Sequence, residues 1–428
     1  GRDTESDSPL PASLSVTRGS LSVSLPLSTP PPSPFYDQMA PTVGVAAPAA
    51  DKPLAPWTFD RREPGDSDVS IDVIYCGVCH SDLHTAMNDM GGTKYPCVPG
   101  HEVAGVVAAV GPKVTKVKVG DKVGVGCFVD SCLECKECKE GDEQYCRQVG
   151  AGTPDPAMQC PAPALHTDSA PLFAAGSACQ GMTLTYNSNP KHGRAGPEGS
   201  ITYGGYSRNM VVHEHFVIKV PAEYPLECAG PLMCAAITTW DPLRHWKVGP
   251  GSRVAILGMG GLGMMGLKLA KALGAEVTVI TTSPNKVEPC KEMGADRAIV
   301  SSDEEAMKAA SKSLDLILNT VSATHEVATY VDLLDTNGHI VQLGLVTENH
   351  SVNQLPLIFC RRSISGSLIA GIKSTQECID FCHENNIQPE IEVVACDKIN
   401  EVYAILQKKN DAVKRYVLDI ANTLSAPA

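Results

Sequence analysis

Cys132, Cys135, Cys138 and Cys146 follow the spacing C-x2-C-x2-C-x7-C. Four thiolates this close in sequence can close a tetrahedral shell around Zn2+ and leave no position for water. That makes a structural site rather than a catalytic one. A four-cysteine iron–sulfur cluster is the rival, since C-x2-C-x2-C also occurs in ferredoxins. The proline that usually follows the last cysteine there is missing here. A second dense stretch, CGVCHSDLH from Cys76 to His84, opens on the C-x-x-C-H pattern of covalent haem attachment. It also reads as half of a zinc clamp, as a redox dithiol, or as a coincidence. A catalytic zinc needs three protein ligands and one open position. Cys79 offers one ligand, and the run PGHE offers His101 with Glu102 beside it. Spacing does not select a further ligand among seventeen cysteines. Cys127, just ahead of the four-cysteine run, is expected on the preceding strand as a packed thiol.

A third signal is RVAILGMGGLG. Gly258, Gly260 and Gly263 form G-x-G-x-x-G, with Gly261 between them, directly after a strand and opening a helix. In that context the motif points to a dinucleotide, whose pyrophosphate sits on the helix N-terminus. About twenty residues on, an NAD-binding chain places an acid for the ribose 2′-hydroxyl. This chain has Thr281, Thr282 and Ser283, then Lys286. No carboxylate repels a 2′-phosphate there, the hydroxyls can bond it, and the lysine can neutralise it. These residues favour NADP(H). The plainer reading is an ordinary Thr-rich strand end with a solvated lysine.

These groups need elements to hold them. From Val69, VSIDVIYCGVC, HEVAGVVAAVG and DKVGVGCFV alternate apolar residues between Gly and Asp turns, a β-rich region. From about Pro221 the texture becomes α/β. RVAILG, EVTVITTS, LDLILNTVS and HIVQLGL read as strands with helices between, which implies a parallel sheet. TQECIDFCHENNI and INEVYAILQKKN read as amphipathic helices. The 428 residues leave room for two or three domains, and 43% hydrophobic with 19% charged residues describe a soluble globular chain. A net charge of −13 disfavours nucleic acid or an anionic membrane as main partner. No run of ~18 apolar residues suggests a membrane span. Seventeen clustered cysteines in a chain this long, with no apolar leader, point to metal binding in a reducing, cytoplasmic setting rather than to disulfides. Residues 1–38 are Ser/Pro-rich and expected to be a disordered tail, with Met39 reading as a natural start. A Ser-rich plastid transit peptide is the alternative there, and Asp3, Glu5 and Asp7 count against it.

The stretches YCGVCHSDLH, YPCVPGHEVAG, DSCLECKECKEGDEQYC, MTLTYN, YGGYS, LRHWKVG, GMGGLG, TTSPNK and GSLIAG resemble the zinc-dependent medium-chain dehydrogenase/reductases. More narrowly, they are similar to the cinnamyl-alcohol-dehydrogenase-type, NADP-dependent aldehyde reductases. The resemblance runs from about Met39 to Ile420. It implies a GroES-like catalytic domain over 39–221, a doubly wound Rossmann domain over 222–365, and a return to the catalytic domain over 366–428. It implies a catalytic zinc on Cys79, His101 and Cys234, with Glu102 able to enter the metal shell, beside a structural zinc on the four-cysteine run. Asp82 would fix the tautomer of His101. The implied reaction is hydride transfer between NADP(H) and an aldehyde or primary alcohol, mainly as reduction. Ser81 would pass the proton through the cofactor ribose to His84. His80 would lie near the pyrophosphate and Thr238 near the nicotinamide. Family members are commonly homodimers. His213, His215 and His245 carry no such support and are expected to be structural. So are Cys76, Cys97 and the cysteines beyond Cys234.

Two departures stand out. Val149–Gln180, Ala/Pro/Ser-rich and aperiodic, intervenes where the family passes almost directly to MTLTYN. Valine codons begin GT and a glutamine codon can end AG, so a retained intron is one reading. A substrate loop is the other. Met264 stands where a histidine is common, with little expected effect. The rival functions are an NAD-dependent polyol dehydrogenase, disfavoured by the missing acid at Thr281–Thr282, and a non-catalytic NADPH- or zinc-binding protein.

Overall fold

The computed structural model describes residues 41–147, 181–197, 199–346, 351–408 and 413–426. Contacts divide the chain into Gly1–Gln38 and Met39–Ala428, and the described residues belong to the second unit. The expectations for the 1–38 tail and for the 149–180 block fall outside the described residues.

Thr42–Ala46 (β1) and Ala55–Phe59 (β2) pair antiparallel. The alternation in VSIDVIYCGVC becomes one long strand, Asp68–Val78 (β3), which buries Val69, Ile71 and Val73. Val103–Val110 (β4) and Lys122–Val125 (β5) continue the antiparallel sheet. Phe128–Asp130 (β6) pairs with Thr183–Leu184 (β7). Asn209–His213 (β8) joins β3, and Ile218–Lys219 (β9) joins β5.

The chain then leaves this sheet and builds another. Arg253–Leu257 (β10), Glu276–Thr281 (β11), Arg297–Val300 (β12), Leu314–Asn319 (β13), Leu334–Gln342 (β14) and Ser363–Gly366 (β15) lie in the order β12-β11-β10-β13-β14-β15. Every pair is parallel. This is the 3-2-1-4-5-6 order of doubly wound dinucleotide folds. Ile391–Ala395 (β16) and Arg415–Asp419 (β17) return to the first sheet, with β17 antiparallel on β3. One sheet is thus made from both ends of the described chain, with the parallel sheet inserted in sequence.

The fold class expected from the sequence is the one that forms. Val, Ile and Leu dominate β10, which is buried on both faces as a central parallel strand must be. The helix Ile372–Glu384 buries Ile372, Thr375, Cys378, Ile379 and Cys382, a single stripe at helical spacing. No helix among the described residues is long and apolar enough to cross a membrane.

The strand order reverses between β10 and β13, which opens a crevice at their carboxyl ends. Gly258 stands there with φ +89°, and a Cβ would lie 2.8 Å from Val321 Cγ2. Only glycine fits that turn.

Candidate active site

Three distant segments meet at one point. Cys79 caps the helix His80–Ala86 at the end of β3. His101 and Glu102 immediately precede β4. Cys234 lies in Leu232–Ala236, a wide π-type turn inside the helical run from Leu226 to His245. Such turns often mark functional sites, because they displace a side chain from regular helical spacing. Thr238 donates to the Cys234 carbonyl at 2.7 Å and so steadies this turn. One ligand atom each from Cys79, His101, Glu102 and Cys234 lies within 4.8 Å of the others, and all four residues are buried.

The electrostatics suit a cation. The Cys79 thiol is held well below the usual range because Cys234 donates a hydrogen bond to it, helped by His101 and Arg415. Burial pulls the His101 imidazole down, but Asp82 more than offsets this and holds it well above its usual range. Asp82 is fully buried and accepts from His101 Nδ1 at 3.0 Å. The other ring nitrogen is thereby left for a metal. Tyr186 stacks on the His101 ring at 5.7 Å. Glu102 is fully buried and pairs with the guanidinium of Arg415. Neither Glu102 oxygen makes a well-formed hydrogen bond among the described residues. A buried carboxylate is costly without a cation, and Arg415 supplies that charge here. The donor set of two thiolates, an imidazole and a nearby carboxylate therefore fits Zn2+.

The sequence missed two members of this neighbourhood. Arg415, on β17, touches Glu102 and also packs on the glycine loop, where a Cβ on Gly261 would lie 2.2 Å from Arg415 Cδ. Cys127 was expected on the preceding strand as a packed thiol, and it does pack against the core. It lies on the bend between β5 and β6, with its sulfur donating to the Met233 carbonyl at 3.8 Å, next to Cys234 in the chain. The close packing of Gly126 against Met233, with 3.1 Å from a built Cβ to the Met233 oxygen, brings the two segments together. Neither residue carries a local sequence signal, since each acts through a partner more than 100 positions away.

Ser81 is exposed at the mouth, with its hydroxyl 3.7 Å from the Cys79 sulfur. His84 Nδ1 donates to Asp89 Oδ2 at 2.8 Å, and both groups reach solvent. Asp89 thus extends the expected proton path outward by one acceptor. His80 is also exposed and binds the Leu406 carbonyl at 3.1 Å through Nε2.

The glycine loop opens the helix Gly261–Ala272. A Cβ on Gly260 would meet nothing within 4 Å, whereas one on Gly263 would lie 2.1 Å from the Gly258 carbonyl. The first observation leaves room for a ligand, and the second explains close packing of the helix on its strand. Thr281 and Ser283 are buried and Thr282 is exposed. Lys286 is not the solvated lysine of the plainer reading. It is buried, and its ammonium donates to the Met259 carbonyl of the loop at 2.9 Å. Met264 is fully buried, and its sulfur accepts from the Glu390 amide at 3.3 Å.

Cys132, Cys135, Cys138 and Cys146 also meet within 4.8 Å. The Cys132 and Cys138 sulfurs are 3.7 Å apart. A tetrahedron with Zn–S bonds of ~2.3 Å has edges of ~3.8 Å, so one zinc fits. A four-iron cluster, which gives each thiolate its own iron, needs them farther apart. The amides of Glu134 and Cys135 donate to the Cys132 sulfur at 3.3 and 3.2 Å. Glu143 anchors the lobe by accepting from His215 at 2.8 Å and from the Ile372 amide at 3.0 Å. The Gly181 amide donates to the Cys146 carbonyl at 2.5 Å, so the chain on either side of the unusual block is joined directly.

Residues 65–169 match the alcohol dehydrogenase GroES-like domain and residues 261–384 match the zinc-binding dehydrogenase domain. NADP-dependent alcohol dehydrogenase C 1 of Mycolicibacterium smegmatis is 45% identical over 380 residues, 89% of this chain and 98% of that one. The chain belongs to the zinc-binding alcohol dehydrogenases. Among solved members of this family, a cinnamyl alcohol dehydrogenase of Sorghum bicolor is 38% identical, covers 91% of this chain and 100% of its own, and has a TM-score of 0.79. The CAD of Helicobacter pylori, solved with NADP(H), is 34% identical, covers 90% and 100%, and has a TM-score of 0.76. The alcohol dehydrogenase resemblance noted in the sequence is therefore correct at the level of family and fold.

Proposed function

We propose that this alcohol dehydrogenase interconverts aldehydes and primary alcohols with NADP(H), mainly as an aldehyde reductase. One observation carries the reading. Arg415 contacts Glu102 of the metal set and packs against Gly261 of the nucleotide loop. The group that would polarise a carbonyl and the helix that would hold the hydride donor are thus neighbours across a single side chain.

Zinc held by Cys79, His101 and Cys234 would supply Lewis acidity toward the carbonyl oxygen, and NADPH would supply the hydride. The chain's own residues do the rest. Asp82 fixes the His101 tautomer through Nδ1. Arg415 balances the charge of Glu102 and holds that carboxylate within reach of the metal position. Gly260 and the amides at the start of the helix Gly261–Ala272 receive the pyrophosphate. Thr281, Thr282, Ser283 and Lys286 receive the 2′-phosphate. Ser81 can give a proton to the nascent alkoxide and recover one through His84, whose partner Asp89 leads to solvent. Cys132, Cys135, Cys138 and Cys146 hold a second zinc that ties the lobe together.

Zinc-replete protein should oxidise NADPH when given aromatic, cinnamyl-type or aliphatic aldehydes, with two zinc ions counted per chain. Faster turnover of polyols with NAD would favour the rival dehydrogenase reading. Two zincs with no turnover of any aldehyde would favour a binding protein.

The same protein is expected to pair with a second copy. The helix Leu355–Cys360 buries none of its residues, and Leu355, Ile358 and Phe359 are 57, 69 and 80% exposed. It adjoins β15, an edge strand of sequence SISG without charge or proline to protect it. An apolar face next to an unprotected edge suits an isologous dimer. Sedimentation should show a dimer that Phe359→Asp converts to monomer, and an unchanged dimer would remove this assignment. Every described cysteine is free, which suits a reducing compartment such as the cytoplasm.

A further inference from the structure

We propose that Tyr206 is a positioning residue for the catalytic metal, acting through Asp82 on His101. The inference rests on the catalytic-zinc reading and adds a residue to it. A fully buried carboxylate must have its acceptor positions filled. Asp82 Oδ1 accepts from the Gly100 amide and from His101 Nδ1, each at 3.0 Å. Oδ2 accepts from the Cys79 amide at 2.9 Å and from the Tyr206 hydroxyl at 3.2 Å. Three of these donors belong to the ligand-bearing segments themselves. The fourth comes from 124 positions along the chain.

Tyr206 holds the same loop in two further ways. Its amide donates to the Pro99 carbonyl at 3.0 Å, and the neighbouring Gly205 amide to the Gly100 carbonyl at 2.9 Å. Its ring occupies the space beside Gly100, where a Cβ would lie 2.7 Å from the Tyr206 Cδ1. The side chain is completely buried, and phenylalanine would fill that space equally well. A hydroxyl in such a place costs free energy unless it is bonded, so its partner is what the oxygen is there for. A line of hydrogen bonds therefore runs from Tyr206 through Asp82 to His101. By holding Oδ2, Tyr206 keeps Oδ1 in line with His101 Nδ1, which holds the imidazole aimed at the metal.

The test is release of zinc from holoenzyme to a chromogenic chelator. Wild-type protein should release two zincs in two phases, and Cys234→Ser, which lacks the catalytic ion, identifies them. Outer partners of metal-bound histidine contribute roughly 10- to 100-fold to affinity. Tyr206→Phe should speed the catalytic phase by about 10-fold, at the low end of that range, and leave the structural phase unchanged. An unchanged catalytic phase, or equal acceleration of both phases, would overturn the proposal. A wild-type holoenzyme with one zinc would instead overturn the catalytic-zinc reading on which it rests. If Tyr206→Phe does not fold, Tyr206→Met, which also lacks the hydroxyl, carries the same test with the same expected sign.

Discussion

The Cys234→Ser protein is expected to hold one zinc where the wild type holds two, and to reduce aldehydes about a thousandfold more slowly or worse. A Lewis acid contributes several kcal/mol to a developing alkoxide, and about 4 kcal/mol corresponds to roughly a thousandfold in rate. Serine keeps the size of cysteine but does not ionise near neutral pH, so the site loses one of its two thiolates. The buried surroundings then work against the ion, because Glu102 and Cys79 cannot balance it alone. Cys127 makes the outcome informative. Its sulfur bonds the carbonyl of Met233, the residue before Cys234, so it stands close to the vacated ligand position. Residual zinc and residual rate in Cys234→Ser should therefore vanish when Cys127→Ala is added. Cys138→Ser should behave differently. It removes the ion of the four-cysteine lobe, which touches no substrate, so thermal stability should fall while the remaining folded protein keeps its catalytic zinc. Metal analysis per chain and aldehyde-dependent NADPH oxidation measure all three. Two zincs and near-normal rate in the Cys127→Ala/Cys234→Ser double variant would sink the assignment.

The contrast between the two zinc sites explains what the sequence made legible. The four-cysteine lobe is local, with all donors inside fifteen positions, so spacing alone announces it. The glycine loop is legible for the same reason, because strand, turn and helix are contiguous. The catalytic set is not local. Cys79, His101 and Cys234 come from the end of one strand, the start of another and a distorted helical turn. Sequence spacing left Cys234 one cysteine among many, and only the family resemblance selected it. The roles of Arg415, Asp89 and Tyr206 carry no local signal, although Tyr206 lies in the stretch YGGYS. Each takes its meaning from a partner brought near by folding. The same holds for Lys286, whose burial and bond to Met259 depend on how the strand end meets the glycine loop. The two sheets, by contrast, followed from apolar alternation and from the order of strands and helices, which are properties of the chain itself.

Cofactor choice should turn on charge at the end of β11. Thr282→Asp is expected to lower kcat/KM for NADPH by roughly 30- to 1000-fold and to raise it about fivefold for NADH. Thr282 is exposed, so an aspartate there breaks no packing. A carboxylate ~5 Å from a doubly charged phosphate is repelled by about 2 kcal/mol at the dielectric of water and more at an effective value near 20. A net loss of about 2–4 kcal/mol gives the stated range. The same carboxylate can accept from the 2′-hydroxyl of NADH, and a hydrogen bond worth about 1 kcal/mol gives the smaller gain. Thr282→Ala separates the two effects. It removes the hydroxyl without adding charge, and should weaken NADPH use by less than tenfold with no gain for NADH. Lys286→Gln tests the opposite sign. It removes a positive charge and should weaken NADPH use alone, because NADH has no 2′-phosphate for that charge to meet. Its bond to Met259 means that the loop also loses a tie, so the NADH rate is the internal control. A loss shared equally by both cofactors would show that Lys286 only shapes the loop. A loss confined to NADPH would place its charge on the phosphate.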